Sequence, residues 1–153
     1  MTTIVYDHKN KAIAIDSRVT SAGQIMDDSA VKFIYRPDDS VWFYSGRPID
    51  MRAAMNIFDS YENQCIKAPK NRIEFSSFIA FAGCAYYCYY SSSNEYVMEK
   101  ATHNDGFGSG GIYALCALNM GKSAGEAVEF AKSMDIYSGG KVHVFSVLEM
   151  LFD

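Results

Sequence analysis

Four short stretches near the start of the chain read as strands: Thr3–Tyr6, Lys11–Asp16, Ser29–Tyr35 and Val41–Ser45. In Ala12-Ile13-Ala14-Ile15 both alternating sets of positions are apolar, the pattern of a strand covered on its two faces. Polar turns punctuate them, Asp7-His8-Lys9-Asn10-Lys11 after the first and Arg36-Pro37-Asp38-Asp39-Ser40 before the fourth. Gly46 ends that strand, and Pro48 suits the first turn of a helix whose Met51, Ala54, Met55 and Phe58 share one side. The pattern predicts its end near Tyr61-Glu62-Asn63. Ile73–Ala82 leaves short helix and buried strand both open, because so brief an apolar run has no deciding period. Ala85–Tyr90 and Glu95–Lys100 flank Ser91-Ser92-Ser93-Asn94 as an antiparallel hairpin. After a glycine-rich run from Gly106 to Gly111 the spacing predicts a helix to about Met120. Ser123-Ala124-Gly125-Glu126 has the S-x-x-E form of a capping box and opens another helix to about Met134. Ser138-Gly139-Gly140 is a turn, and Val142–Met150 alternates as a closing strand. This order predicts α+β layers, with antiparallel sheet inside and helices outside.

A length of 153 residues without linker or repeat predicts one domain, 1–153. A hydrophobic fraction of 49% beside 21% charged residues is that of a soluble globular protein. The net charge of −4, with no basic run, gives nucleic acid nothing to bind. No apolar stretch approaches the roughly 18 residues of a membrane span, and the start is unlike a signal peptide. The expected compartment is the cytosol, with no membrane partner. Cys65, Cys84, Cys88 and Cys116 lack metal-site spacing and read as reduced thiols. Eleven tyrosines and ten phenylalanines point to a thick aromatic core, or to surface covered by neighbouring subunits.

The candidate chemistry sits at the first residues. Removal of Met1 before the small Thr2 is expected, and it places a hydroxyl and a free α-amine on one residue. A threonine hydroxyl needs a base, and an α-amine of ordinary pKa about 7.7–8.0 can serve. A nearby ammonium lowers that pKa further, and Lys32 is the candidate, held charged by Asp16. Ser45-Gly46 ends a strand before a helix, where a glycine N–H can face an oxyanion. Asp135 and Ser138 set an acid and a hydroxyl three residues apart in a turn. Gly106, Gly108 and Gly111 spell G-x-G-x-x-G, which suggests a dinucleotide cradle only inside a parallel βαβ unit. Here a hairpin precedes the run and the Walker lysine is absent. The other reading packs Ser109 and its glycines beside the nucleophile.

Taken together, Thr2-Thr3-Ile4-Val5, Asp16-Ser17-Arg18, Lys32, Ser45-Gly46, Gly108-Ser109-Gly110-Gly111-Ile112-Tyr113-Ala114 and Asp135-Ile136-Tyr137-Ser138-Gly139-Gly140 resemble the proteasome β-subunit family, which includes the peptidase of the bacterial two-component ATP-dependent protease. Order and approximate spacing hold over nearly the whole chain. The resemblance implies a four-layer αββα sandwich of the N-terminal nucleophile hydrolase type. It implies peptide-bond hydrolysis through an acyl-enzyme ester on Thr2, with the amine as base through a water. Asp16 and Lys32 would tune the amine, the Gly46 N–H would stabilise the oxyanion, and Ser109, Asp135 and Ser138 would complete the network. No metal or organic cofactor is implied. The implied partners are peptide or unfolded-protein substrates, further copies in a homo-oligomeric ring, and an ATP-driven unfoldase. The chain departs from the family in three ways: a shorter first hairpin, Met1 alone ahead of Thr2, and a reduced middle helical segment between Asn63 and Asn104. Two other functions compete with the peptidase: an inactive proteasome-fold scaffold that binds a related ring, and a small-molecule amidase using Thr2.

Overall fold

A computed structural model describes residues 1–59, 65–67, 75–90 and 95–153. The first hairpin joins β1 (Ile4–Asp7) to β2 (Ala12–Ile15), pairing Ile4 with Ile15 and Asp7 with Ala12. Its turn is held by the Asp7 carboxylate, which accepts from the Asn10 N–H at 3.1 Å and from Asn10 Nδ2 at 2.7 Å. A separate two-stranded ribbon follows, β3 (Val19–Ser21) and β4 (Gln24–Asp27). Then come β5 (Phe33–Tyr35), β6 (Val41–Gly46) and α1 (Pro48–Asp59). The middle supplies β7 (Cys65–Lys67), β8 (Phe75–Phe81), β9 (Cys84–Tyr90) and β10 (Glu95–Lys100). The chain closes with β11 (Asp105–Phe107), α2 (Gly111–Asn119), α3 (Ala124–Met134), β12 (His143–Ser146) and β13 (Leu151–Phe152).

One sheet runs β11-β1-β2-β12-β13 and the other β5-β6-β8-β9-β10-β7, with every described pair antiparallel. Strand alternation sorts the side chains between them. Ile4, Tyr6, Ile13, Ile15 and Phe145 of the first sheet meet Val41, Phe43, Phe78 and Tyr87 of the second in one buried cluster. The opposite faces turn to helices: Val5 and Ala14 pack on Ala114, Leu118, Ala127 and Val128 of α2 and α3. Trp42, Tyr44 and Ile79 pack on Met51, Ala54 and Met55 of α1. Both alternating sets of β2 are therefore buried, as its apolar pattern requires. Much of the aromatic content fills the space between the sheets, where Phe33 and Phe152 lie 4.3 Å apart and Phe78 stacks on Phe107 at 4.7 Å.

The capping box is present in full: Ser123 Oγ accepts from the Glu126 N–H at 3.3 Å, and Glu126 accepts from the Ser123 N–H at 2.9 Å. Other expectations need correction. The strand expected over Ser29–Tyr35 begins only at Phe33, the preceding residues bending to reach Ser17 through an Ala30 N–H bond of 3.1 Å. The undecided Ile73–Ala82 segment is strand over Phe75–Phe81, with Ala82 in the turn that follows. Val142–Met150 is not one strand; the backbone turns after Ser146, Met150 takes φ +56°, and β13 folds back on β12. The expected end of α1 near Tyr61 and the serine turn lie outside the described residues. Among the described residues between α1 and β11 the regular structure is strand.

Candidate active site

The cross-strand neighbour of Thr3 at the end of the first hairpin is Asp16, whose N–H donates to the Thr3 carbonyl at 3.1 Å. Asp16 is fully buried, and its carboxylate is correspondingly well supplied with donors. Oδ1 accepts from the Thr3 N–H at 2.9 Å and from Lys32 Nζ at 2.7 Å, and Oδ2 accepts from the Gly139 N–H at 3.0 Å. The ion pair is enclosed, with side-chain exposures of 5% for Lys32 and 0% for Asp16. Burial pulls the Lys32 pKa below its ordinary value, and the Asp16 charge opposes that pull. Lys32 Nζ also donates to the Met1 carbonyl at 3.2 Å. Burial, and then the Lys32 ammonium, lower the pKa of the chain's first amine, against the opposing charges of Asp16 and Asp135. That amine lies within electrostatic reach of all three.

A second group of donors surrounds Asp135, the residue that ends α3. Its Oδ2 accepts from Ser109 Oγ and from Ser138 Oγ, each at 2.6 Å, and its Oδ1 from the Tyr137 N–H at 3.1 Å. Burial alone would raise its pKa; these hydrogen bonds, with the charge of the chain's first amine, outweigh it and hold the carboxyl low. Thr3 Oγ1 is hydrogen-bonded to Ser138 Oγ and so joins this group to the first. Arg18 braces the turn from outside, gripping Asp28 at 2.7 and 2.9 Å and donating to the Ile136 carbonyl at 3.2 Å.

In front of these groups opens a cleft of about 700 Å³, lined by Thr2, Lys32, Gly46, Gly108 and Ser109, with Val19, Ala30, Val31 and Tyr44 as its apolar wall. Gly46 has φ +126°, a backbone conformation closed to most other residues. Gly108 has φ +85°, and a Cβ there would lie 1.8 Å from the Thr2 carbonyl oxygen. The glycine run therefore lets backbone approach the start of the chain. It is not a dinucleotide cradle, because β11 runs antiparallel to β1 and no parallel unit surrounds it.

All seven residues expected from the sequence meet here. Thr2, Lys32, Gly46 and Ser109 face the cleft, while Asp16, Asp135 and Ser138 stand behind, bonded to Lys32, Ser109 and Thr3. Thr3, the Gly139 N–H and the Arg47–Asp50 pair at the cleft, 2.8 Å apart, escape sequence reasoning. Only Thr3 carried a usable signal: strand alternation turns it to the face opposite Thr2. Among the described residues no group of three or more His, Cys, Asp or Glu side chains could hold a metal, and no helix is long and apolar enough to cross a membrane.

Layered antiparallel sheets with helices on their outer faces define the class: the chain has the proteasome-type α+β fold. It is similar to the crystal structure of eukaryotic HslV from Trypanosoma brucei, with a TM-score of 0.69 and 20% identity over 94% of this chain and 97% of that one. It is also similar to BPH from Thiobacillus denitrificans, with a TM-score of 0.65 and 17% identity over 95% of this chain and 96% of the other. The same BPH in complex with epoxomicin matches at a TM-score of 0.65, 17% identity, and 95% and 97% coverage. No protein-family model matches the chain, and no curated protein matches it. At these identities the likeness is one of fold.

Proposed function

We propose that the protein is a threonine-type endopeptidase whose nucleophile is Thr2, exposed by removal of Met1. One observation carries this reading: Lys32 Nζ, paired with Asp16 at 2.7 Å, donates at 3.2 Å to the Met1 carbonyl, on the peptide bond whose cleavage frees the Thr2 amine, and Thr2 opens onto the same cleft as Gly46. With Met1 gone the amine belongs to Thr2. The Lys32 ammonium, beside the Thr2 nitrogen, then favours its neutral, basic form.

The amine takes the Thr2 hydroxyl proton, through a water, as Oγ1 adds to the scissile carbonyl. The Gly46 N–H stabilises the oxyanion. In support, the Tyr44 N–H donates to the Lys32 carbonyl at 3.2 Å, and strand alternation sends the Gly46 N–H to that same edge, beyond the start of β5 at Phe33. Collapse expels the leaving amine, which receives the proton, and leaves an ester on Thr2. Water, deprotonated by the same amine, hydrolyses the ester and restores the hydroxyl. Asp16 holds Lys32 in place, while Ser109, Asp135 and Ser138 order the hydrogen bonds beside the amine.

The architecture belonging to this reading is the four-layer αββα sandwich, supported by one buried cluster between the sheets and one under each helical face. The working form is a cytosolic homo-oligomeric ring, fed with peptides or unfolded chains by an ATP-driven partner. No cofactor takes part. A peptide epoxyketone tests the chemistry, since its ring adduct consumes a hydroxyl and a free amine of one residue. Intact-protein mass is expected to show loss of Met1 and one adduct on Thr2, and Thr2→Ala is expected to stay folded and take none. Retained Met1 in the protein from its natural source refutes the reading. Cleavage of simple amides but not of peptides would point to the amidase, and ring binding without any cleavage to the scaffold.

A further inference from the structure

We propose that Thr3 is a positioning residue that locks the two halves of the site together; this rests on the peptidase reading above. Successive residues of a strand point to opposite faces. Thr2 lines the cleft, whereas the fully buried Thr3 falls on the face that Val5 presents to α2 and α3. The residue after the nucleophile can thus reach what Thr2 itself cannot. Its N–H donates to Asp16 Oδ1 at 2.9 Å, on the same oxygen that holds Lys32. Its hydroxyl meets Ser138 Oγ, whose single hydrogen is committed to Asp135 Oδ2 at 2.6 Å. Thr3 is therefore the donor, and the bonds run in one direction, from Thr3 to Ser138 to Asp135. The space is filled to contact: a Cβ on Gly110 would lie 2.0 Å from Thr3 Oγ1 and 2.6 Å from Ser138 Oγ. The backbone bond fixes the Thr2–Thr3 peptide against Asp16, which holds Lys32, and the hydroxyl bond fixes it against the turn after α3. The nucleophile's amine and hydroxyl hang from the end of that peptide.

Thr3→Val keeps the branched shape and removes only the hydroxyl, and Thr3→Ser keeps the hydroxyl and removes only the methyl. Peptide hydrolysis and epoxyketone labelling are measured for both beside the wild type. Thr3→Val is expected to lower kcat about tenfold, the scale of one hydrogen bond in a charged network. Its KM is expected to stay within about twofold of wild type, since no substrate contact is lost. Thr3→Ser is expected to recover most of kcat. If Thr3→Val does not fold, Thr3→Ala fits the same space and carries the comparison. Equal kcat in Thr3→Val and wild type overturns the positioning role while leaving the peptidase standing. A low kcat in both Val and Ser variants also overturns it, because packing would then be the cause. A wild-type chain that loses Met1 yet neither cleaves nor labels overturns the peptidase and this inference with it.

Discussion

The two carboxylates of the site sit in opposite kinds of surroundings. Asp16 has no exposed surface, faces a buried ammonium, and takes its other bonds from main-chain N–H groups. Asp135 is held by two serine hydroxyls and one N–H, without a cation bonded to it. Charge neutralises charge on one side, and neutral donors stabilise charge on the other. The first arrangement is rigid and intolerant, since removing either partner strands a buried charge. The second is graded, because each hydroxyl contributes separately. The start of the chain is bonded to both, through the Thr3 N–H to the first and through the Thr3 hydroxyl and Ser138 to the second.

Breaking the ionic side is expected to cost most. Lys32→Ala leaves Asp16 buried without its cation and is expected to lose about 3–5 kcal/mol in urea unfolding, together with all turnover. A loss below about 1 kcal/mol would mean that water reaches Asp16 and the contrast does not hold. Gly108→Ala comes next: the added carbon meets the Thr2 carbonyl and the backbone is held at φ +85°. It is expected to cost about 1–3 kcal/mol and to abolish labelling of Thr2. On the hydroxyl side, Ser138→Ala, at a buried position bonded to both Thr3 and Asp135, is expected to cost about 1–3 kcal/mol. Ser109→Ala, at a partly exposed position, is expected to cost about 0.5–1.5 kcal/mol, and equal losses would erase the gradation.

Titration sharpens the comparison with the smallest effects. The folded pKa of Asp135 lies below its ordinary 3.8, so its contribution is complete above that value and is lost as pH falls through the folded one. Lys32 is also lowered, from 10.5, but a cation carries the opposite consequence. Between its folded pKa and 10.5 the unfolded chain binds more protons, so stability rises with pH across that window. Urea midpoints against pH should therefore fall more steeply in acid for wild type than for Asp135→Asn. They should climb more steeply on approach to 10.5 for wild type than for Lys32→Met.

Elements with a one-sided or doubly apolar pattern were legible in the sequence, and those without one were not. The first hairpin and α3 could be read from apolar spacing and a capping box. The β3–β4 ribbon is largely exposed and has no periodic face to betray it. Its only mark is Ala22-Gly23, both at positive φ, the same two-residue turn that Ala82-Gly83 makes between β8 and β9. The break after Ser146 was hidden because Val147 remains fully buried across the bend. For the site, strand ends could place Asp16 and Gly46, but no local pattern brings Asp135 to Thr3. That juxtaposition depends on sheet order; the family resemblance implied only that Asp135 belongs to a network around Thr2.

The first sheet is closed by partners from the far end of the sequence, with β12 against β2 and β11 against β1. A ribosome-bound chain that ends before Asp135 lacks β12, Ser138 and the Gly139 N–H, and so lacks half the cage around its own beginning. Nascent protein is therefore expected to be inert until translation is nearly complete. Refolding should recover activity no faster than these distant ends find each other, a slow search for a topology so rich in remote pairings.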